Sequence, residues 1–324
     1  MKRAPLDVAI VGSGIHGAHV AIRLLHERPR LRAGLRLIDP SGICLAEWQR
    51  QASGQGMDQM RSTAVHHLDV EPKSLLAYAR AADRGSELLQ PYQRPSYSLF
   101  ADHCRFVLRR FAMEELVLPR RVESIARTPL GYRLELADGA LDARLLVLAP
   151  GLRGHERVPD WASRLVALAA DRVRHATAVE IERERLDALR VLIIGGGLTA
   201  ATLAARAVRG GARVTLSSRR PLDARLFDAD PGWVGPKYLG AFFAEEEPEA
   251  RLRMIERARG RASVTPEMLE RLRAARGEGR LEIRFDDEVV EAWAAPRMVH
   301  VRLRRQSAVR SFDRIWLATG FAPA

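Results

Sequence analysis

Three glycines near the start of the chain have the spacing of a turn that binds a pyrophosphate. Gly12, Gly14 and Gly17 lie in VAIVGSGIHGAHVAIRLL, residues 8–25, between an apolar run and an Ala- and Leu-rich stretch with helical spacing. In this pattern the first glycine permits a sharp turn, the second lets a ligand approach the backbone, and the third lets the helix pack on the strand. The free N–H groups at the helix start carry roughly half a positive charge, which stabilises an anion. The segment therefore predicts a strand, a phosphate-binding turn and a helix.

The strand that follows, LRLID, ends in an acid. Asp39 lies 22 residues after Gly17, where a carboxylate can accept hydrogen bonds from both hydroxyls of an adenosine ribose. Asp39 also precedes Pro40, so the alternative is a structural role in opening a turn. With the glycines at the right spacing, this first turn suits FAD.

A second copy of the turn lies in VLIIGGGLTAATLAARAV, residues 191–208. Its three positions are Gly195, Gly197 and Ala200, which the same fingerprint tolerates. The strand after it carries no acid and ends instead in hydrogen-bond donors: Ser217, Ser218, Arg219 and Arg220. Hydroxyls and arginines can donate to a 2′-phosphate through bonds worth roughly 1.5–3 kcal/mol each, whereas a carboxylate would repel it. The second turn therefore suits NADPH.

These two units predict an α/β protein with two Rossmann-like dinucleotide-binding domains. We expect an FAD-binding domain over residues 1–160, an inserted NADPH-binding domain over 161–300, and strands over 301–324 that return to the FAD domain. Between the two turns, RVESIAR, YRLELADG and LDARLLVLAPG read as strands joined by tight turns. Residues 221–280 are mostly helical and charged.

Composition excludes several classes of protein. The net charge of +12 comes with 52 basic residues, of which all but Lys2, Lys73 and Lys237 are arginines spread along the chain, so we expect no specific nucleic-acid binding. Cys44 and Cys104 belong to no CxxC pair, which disfavours a disulfide framework, a zinc site or a dithiol reductase. No apolar run approaches the ~20 residues of a membrane span, and a strand begins too early for a signal peptide. We expect a cytoplasmic protein without a membrane partner.

With both turns placed, the chain resembles the class B flavin-dependent monooxygenases, most closely the lysine/ornithine N-hydroxylase family. DRIWLATGF, residues 313–321, follows that family's D-x-x-x-L-A-T-G-(Y/F) signature and contains Thr319 and Gly320. LLVLAPG, which ends at Gly151, is similar to a weaker first counterpart. VRHATAV resembles the family's H-S/T segment, with His175 as the match. Members normally continue past the ATG segment, so the resemblance implies that this chain lacks their C-terminal extension.

The resemblance also implies a flavin-facing stretch in EWQRQASGQGMDQMRS, where Trp48 matches and Gln49 replaces a histidine. Trp48 and Met60 would line FAD, Gln49 and Arg61 would be catalytic, and Arg61 would stabilise negative charge on the reduced ring. Ordinary core packing is the alternative for Trp48 and Met60.

Three further segments allow both a functional and a structural interpretation. In AVHHL, His66 or His67 could bind substrate or exchange a proton near neutral pH, although a structural loop pair is the competing interpretation. His175 would contact the nicotinamide, or would cap a turn or pack at an interface. The aromatic segment FDADPGWVGPKY, residues 227–238, either lines a substrate entrance or forms a surface loop.

The activity that the resemblance implies is NADPH-dependent oxygenation of a soft nucleophile by FAD and O₂ through a flavin hydroperoxide, with amine N-hydroxylation as the first expectation. The substrate would be a small amine or another soft nucleophile, and the protein could be a homo-oligomer. Two alternatives remain at this point: a flavin reductase or oxidase that makes only H₂O₂, and a non-catalytic FAD/NADP-binding redox protein.

Overall fold

The computed structural model describes residues 4–259, 262–305 and 308–322, and these form two compact units. The first unit contains residues 4–53 and 57–154, and the second contains residues 54–56 and the described residues from 155 onward. The division therefore falls after Gly154, six residues before the boundary expected from the sequence.

The first unit is built on a mixed sheet that the helices cover. Its strands are β1 Leu6–Val11, β2 Leu35–Ile38, β3 Leu88–Leu89, β4 Arg94–Pro95, β5 Val117–Leu118, β6 Val122–Thr128, β7 Gly131–Leu136 and β8 Gly139–Leu148. Its helices are α1 Ile15–Glu27, α2 Ala46–Gly54, α3 Ser74–Ala81 and α4 Tyr97–Arg110. The mixed sheet has the order β5-β2-β1-β8-β7-β6, in which β5, β2, β1 and β8 are parallel and β6 to β8 form an antiparallel meander. Strands β3 and β4 pair with each other in a separate two-stranded antiparallel sheet.

The second unit contains a fully parallel sheet and a smaller antiparallel one. Its strands are β9 Val173–His175, β10 Arg190–Ile194, β11 Arg213–Ser218, β12 Leu281–Phe285, β13 Val289–Ala294, β14 Val299–Leu303, β15 Val309–Phe312 and β16 Arg314–Leu317. Its helices are α5 Asp160–Leu168, α6 Leu198–Arg209, α7 Pro236–Ala244, α8 Pro248–Arg259 and α9 Pro266–Gly277. The parallel sheet has the order β12-β11-β10-β16-β9, and the antiparallel sheet has the order β13-β14-β15.

The expected α/β class with two Rossmann-like units is confirmed, but the expected return of residues 301–324 to the first domain is wrong. Strand β16 lies between β10 and β9 in the second sheet, with Leu192 opposite Ile315. Ile315, Trp316 and Leu317 are fully buried there. A short apolar strand of this kind fits any parallel sheet that is covered on both faces, so its sequence does not specify which sheet it joins.

Each unit has its own apolar core. In the first, α1 and α4 pack their buried faces against β1 and β2, and in the second α6 and α9 pack against β10 and β11. Within the described ranges, no helix is long and apolar enough to cross a membrane. Over the same residues, no group of three or more His, Cys, Asp or Glu side chains could hold a metal ion.

Candidate functional site: two dinucleotide turns

The first glycine turn connects β1 to α1, as its sequence predicts, and two of its glycines are fixed by backbone contacts. Gly12 has φ +99°, and a Cβ atom there would lie 2.2 Å from the carbonyl oxygen of Ala149. A Cβ on Gly17 would lie 2.0 Å from the carbonyl oxygen of Gly12. Both distances are far below van der Waals contact, so these two positions require glycine for folding itself.

Gly14 differs from its neighbours because the space around it is open. It is the N-cap of α1 with φ −65°, and among the described residues other than its two chain neighbours no heavy atom lies within 4 Å of the place where its Cβ would be. No side chain caps the helix, so the first N–H groups of α1 are available to an external acceptor. A pyrophosphate is the acceptor that this geometry suits.

Asp39 follows β2 directly and lies beside the turn. Its Oδ2 accepts a hydrogen bond from the Ser13 N–H at 2.9 Å, and its Oδ1 accepts from the Ser41 N–H at 2.9 Å and the Ser41 hydroxyl at 2.7 Å. Partial burial opposes ionisation of the carboxyl group, but these hydrogen bonds outweigh burial and hold the pKa of Asp39 below its usual range. Asp39 is therefore an ionised acceptor, and it also opens the turn at Ser41, so both roles expected from the sequence are geometrically compatible.

The second turn connects β10 to α6 with the same construction. Gly195 has φ +150°, and its Cβ would lie 2.4 Å from the carbonyl oxygen of Ala318 and 3.2 Å from the Cβ of Ala200. Ala200 is fully buried in the core of the unit, so the third position packs an alanine side chain where the first turn has a glycine. Gly197 is the N-cap of α6, and no side chain caps this helix.

Strand register identifies the counterpart of Asp39 in the second turn. Val11, which precedes the first glycine, lies opposite Ile38, whereas Ile194, which precedes Gly195, lies opposite Ser217. The residue after Ser217 is Ser218, so Ser218 occupies the place that Asp39 has in the first unit.

The contacts of Ser218 agree with this assignment. A Cβ on Gly196 would lie 2.3 Å from the Ser218 hydroxyl oxygen, just as the residue after Gly12 contacts Asp39. The same hydroxyl accepts a long hydrogen bond of 3.4 Å from the Arg220 N–H. Ser218 is buried, and Arg219 and Arg220 are exposed at the carboxyl end of the sheet. Ser218 thus shapes the turn that presents the two arginines.

The ATG segment follows β16 at the same edge of this parallel sheet. The Thr319 hydroxyl donates to the carbonyl oxygen of Arg157, and the Arg157 N–H donates to the carbonyl oxygen of Gly320 at 2.9 Å. Gly320 has φ +78°, a conformation that favours glycine. These bonds give Thr319 and Gly320 a structural role. Gly151, their counterpart after β8 in the first unit, also has a positive φ of 71°.

His175 ends β9 at that edge and is buried. Its Nδ1 accepts from the Thr177 N–H at 3.3 Å and lies 3.0 Å from the Thr177 hydroxyl, so the ring caps a short 3-10 turn over Ala176–Ala178. Its ring packs edge-on against Phe321, with 5.7 Å between centroids. Burial lowers the pKa of His175, although Glu156 and the Gly320 backbone act in the opposite direction. The capping role expected as one alternative is present, and contact with a nicotinamide stays a prediction.

The stretch expected to face the flavin lies on α2 and the segment after it. Trp48 packs against Tyr97 and Phe100, with ring centroids 5.6 and 5.4 Å apart, at the rim of the first core. Met60 packs against the same core, and its N–H donates to the carbonyl oxygen of Pro95 at 2.9 Å. Core packing therefore accounts for both side chains as they stand. Gln49 and Arg61 are half-buried, and their catalytic role stays a prediction.

The two histidines of AVHHL have different environments. His66 is exposed, whereas His67 is half-buried and packs edge-on against His103 of α4, with 5.5 Å between ring centroids. The Nδ1 atoms of His67 and His103 are both buried and make no hydrogen bond with any residue that the structure describes. A proton-exchange role for either His66 or His67 stays a prediction.

Sequence reasoning missed the polar network behind His67. The Ser74 hydroxyl donates to Oδ2 of Asp69 at 2.5 Å, so its oxygen accepts from Nε2–H of His103 at 2.9 Å. Arg110 donates to Oδ1 of the same carboxylate. Burial lowers the pKa of His103 to about 4, helped by His67 and Arg110 and opposed by Asp69. Burial also lowers the pKa of His67. His103 is therefore neutral at neutral pH, with its proton on Nε2.

Acidification is expected to destabilise the first unit through His103. A histidine whose pKa is lowered from 6.5 to about 4 in the folded state takes up its proton more readily when unfolded. Stability is therefore fully present above pH 6.5 and is lost as the pH falls toward 4. Between pH 7 and pH 5 the free energy of unfolding is expected to fall by about 2 kcal/mol, at 1.36 kcal/mol for each pH unit below the unfolded-state pKa.

Denaturant unfolding of wild type and His103→Gln at several pH values checks this expectation. Glutamine can still donate to Ser74 but does not titrate, so the variant should lose most of this pH dependence. His66→Gln is the matched control because His66 is exposed, and it should retain the wild-type profile. A His103→Gln profile parallel to wild type would show that other groups cause the acid sensitivity.

Comparison with known proteins finds a domain family that matches part of the chain and a set of similar folds. Residues 9–153 match a family described as FAD-NAD(P)-binding. A search of curated proteins finds no match. Among solved structures, ornithine hydroxylase from Pseudomonas aeruginosa is 22% identical, with a TM-score of 0.78 over 99% of this chain and 84% of that one. L-lysine 6-monooxygenase from Pseudomonas syringae is 18% identical, with a TM-score of 0.72 over 98% of this chain and 82% of that one.

The same fold also occurs in an enzyme with a different reaction. Bacillithiol disulfide reductase from Staphylococcus aureus is 15% identical, with a TM-score of 0.65 over 99% of this chain and 78% of that one. Fold similarity alone therefore does not select the reaction. It does establish the architecture around the two turns: the chain has the two-unit dinucleotide-binding fold of the ornithine and lysine N-hydroxylase structures, as its sequence resemblance implies.

Proposed function

We propose that this protein is an NADPH-dependent flavin monooxygenase that oxygenates a soft nucleophile, by N-hydroxylation of a small amine. One observation carries the proposal: the same turn occurs twice, with an ionised acid beside the first copy and a serine followed by two exposed arginines at the corresponding place in the second. Two turns with opposite electrostatics suit two different dinucleotides, one with a free ribose and one with a 2′-phosphate.

The first turn fits FAD. Open space at Gly14 and the uncapped start of α1 can receive the pyrophosphate. The Asp39 carboxylate can accept from a ribose hydroxyl, since a carboxylate has about four lone-pair positions and the described bonds use three, which leaves one. The match of residues 9–153 to an FAD-NAD(P)-binding family supports this assignment.

The second turn fits NADPH in the same way. Gly197 and the uncapped start of α6 would receive the pyrophosphate, and Arg219 and Arg220 would hold the 2′-phosphate. A ligand in a parallel sheet lies beyond the carboxyl ends of the strands. The far end of the coenzyme would therefore extend toward Thr319, Gly320 and His175, which lie at that edge.

Bound FAD would accept a hydride from NADPH and activate O₂, which is chemistry that the cofactor supplies. The side chains of this chain have supporting roles in the proposal. Arg61 would stabilise negative charge on the reduced ring, Gln49 would contact the reacting edge, and Trp48 and Met60 would line the ring and exclude water. His66 and His67 would bind substrate or exchange a proton.

Similar structures suggest which amines to test. The proteins in these structures are named for ornithine, lysine and cadaverine, the compounds on which they act. All three are small molecules with a terminal amine, so they form the first substrate panel. O₂ is the second substrate in this proposal.

The experiment is a spectroscopic titration of the full chain. Protein supplied with FAD is treated with NADPH or NADH without oxygen, and air and each amine are then admitted. A flavin band that bleaches much faster with NADPH, followed by hydroxylamine formed in proportion to NADPH consumed, supports the proposal. NADPH consumption that yields only H₂O₂ with every amine would instead indicate an oxidase. Absence of flavin binding would indicate a protein without this redox activity.

A further inference from the structure

Two consecutive helices of the second unit contain no fully buried residue, although one of them is apolar. Helix α7 has the sequence PKYLGAFFA, and neither α7 nor α8 contains a buried residue. Phe243 is 68% exposed, Leu252 is 55% exposed and Ile255 is 40% exposed. We call the exposed side chains of these two helices the α7–α8 surface. Large apolar side chains concentrated in this way on a protein surface are typical of an interface.

The α7–α8 surface is held together by its own contacts. The Arg251 Nε donates to the carbonyl oxygen of Glu245 at 2.6 Å, and its guanidinium lies 5.9 Å from the centre of the Phe242 ring. Phe242 contacts Phe243 and Trp233, with ring centroids 5.8 and 6.1 Å apart. These contacts fix the start of α8 against the end of α7, so the apolar side chains are presented by an ordered element.

Charge along this segment is strongly polarised. Residues 245–249 contain four glutamates, whereas residues 251–259 contain four arginines and a single glutamate. Among the ion pairs of the described residues, none involves Glu249 or Arg259. The order of charges complements the macrodipole of α8, but the macrodipole gives no reason for the exposed leucine and isoleucine between the two charged ends.

The side chains on one stripe of α8 have a two-fold pattern. Glu249, Leu252, Ile255 and Arg259 follow one another at intervals of three, three and four residues, and Glu256 lies four residues after Leu252, so all five lie along the same side of the helix. Glu249 and Arg259 lie at nearly equal distances from the middle of the apolar pair. When two such helices pack antiparallel, each Glu249 meets the partner's Arg259, and Leu252 meets the partner's Ile255.

We propose that the α7–α8 surface binds a second copy of this chain in an antiparallel, two-fold arrangement centred on α8. A two-fold interface requires one patch to be complementary to itself, and this stripe meets that requirement in both charge and apolar contact. A stable interface buries about 1,200 Å² or more in total, which one pair of 12-residue helices does not supply. Phe243 and the other aromatic side chains of α7 would supply the remaining area, one set from each copy.

The experiment measures the mass of the full chain in solution over a range of concentrations, by light scattering and sedimentation. Wild type should dimerise. Glu249→Arg places an arginine at both ends of the stripe, and Arg259→Glu places a glutamate at both ends. Each variant alone should weaken dimerisation at least tenfold. An equimolar mixture of the two variants should form a heterodimer with nearly the wild-type affinity, because opposite charges meet again.

Leu130→Ser is the matched control. Leu130 is an exposed leucine of the first unit, outside the α7–α8 surface, so this variant should dimerise like wild type, whereas Leu252→Ser should not. A wild-type chain that is monomeric at all concentrations overturns the proposal. A dimer that both charge variants leave unchanged places the interface elsewhere. Failure of the mixture to restore dimers excludes the antiparallel pairing.

Discussion

Gly12→Ala is expected to abolish FAD binding and to lower the free energy of unfolding of the first unit by about 3 kcal/mol or more. The new Cβ would lie 2.2 Å from the Ala149 oxygen and 2.8 Å from the Ala149 carbonyl carbon. Those atoms are backbone next to the end of β8, which pairs with β1, so they cannot move aside as a flexible side chain could. Alanine is also strained at φ +99°.

Gly14→Ala separates folding from binding in the same turn. The space around Gly14 is open, and its φ of −65° suits alanine. The unfolding free energy without ligand should therefore stay within about 0.5 kcal/mol of wild type. If the pyrophosphate lies over Gly14, a methyl group would displace it, and the affinity for FAD should fall at least tenfold.

Thermal unfolding with and without FAD, together with a fluorescence titration of FAD, checks both expectations. For a unit of this size, 3 kcal/mol corresponds to a fall in Tm of roughly 6–12 °C. A Gly14→Ala protein that binds FAD as tightly as wild type would show that the first turn does not hold the pyrophosphate. A Gly12→Ala protein with an unchanged Tm would contradict the backbone contact itself.

The sequence predicts most of the parts of these sites because their causes are local. Glycine spacing, an acid after the second strand and turn residues between β6, β7 and β8 act over a few residues, and the structure has these elements where they are expected. The placement of β16 depends on the other strands, since an apolar run such as IWL can be buried in either sheet. That is why the predicted return to the first domain is wrong.

Two other features depend on contacts that no sequence pattern records. His103 lies within α4 and reads as an ordinary helical residue, yet it meets His67 from a segment 36 residues away. The equivalence of Ser218 and Asp39 appears only from strand register, because the two second strands begin at different distances from their glycine turns. A fingerprint aligned by spacing alone finds the serine and the arginines, but it does not show which of them corresponds to Asp39.

Replacing both arginines after β11 is expected to remove the preference for NADPH. Each charge-assisted bond to the 2′-phosphate contributes roughly 1.5–3 kcal/mol. Loss of one of them should reduce kcat/KM for flavin reduction by NADPH by a factor of about ten to one hundred, and loss of both by about one hundred to ten thousand, at 1.4 kcal/mol per decade. NADH has no 2′-phosphate, so its kcat/KM should change less than threefold in Arg219→Ala/Arg220→Ala.

Anaerobic stopped-flow reduction with each coenzyme measures these values, and the matched control is Arg209→Ala. Arg209 is an exposed arginine at the far end of α6 from the glycine turn, so its removal lowers the net charge by half as much as the double variant does, without touching the coenzyme. Equal losses with NADPH and NADH in the double variant would show that the arginines hold a part common to both, such as the pyrophosphate. Values of kcat/KM that stay at the wild-type level with both coenzymes would place the 2′-phosphate elsewhere.

Ser218→Asp carries the argument one step further, because it places an acid at the position that corresponds to Asp39. The carboxylate would repel a 2′-phosphate and accept from the ribose hydroxyls of NADH, so the ratio of kcat/KM values should reverse in favour of NADH. Gly196 leaves space beside this side chain only because it lacks a Cβ, and the unfolding transition of the variant should therefore be measured alongside its kinetics. A folded Ser218→Asp protein that still prefers NADPH would mean that the two turns, although alike in strand register, do not bind the ribose of their dinucleotides in the same way.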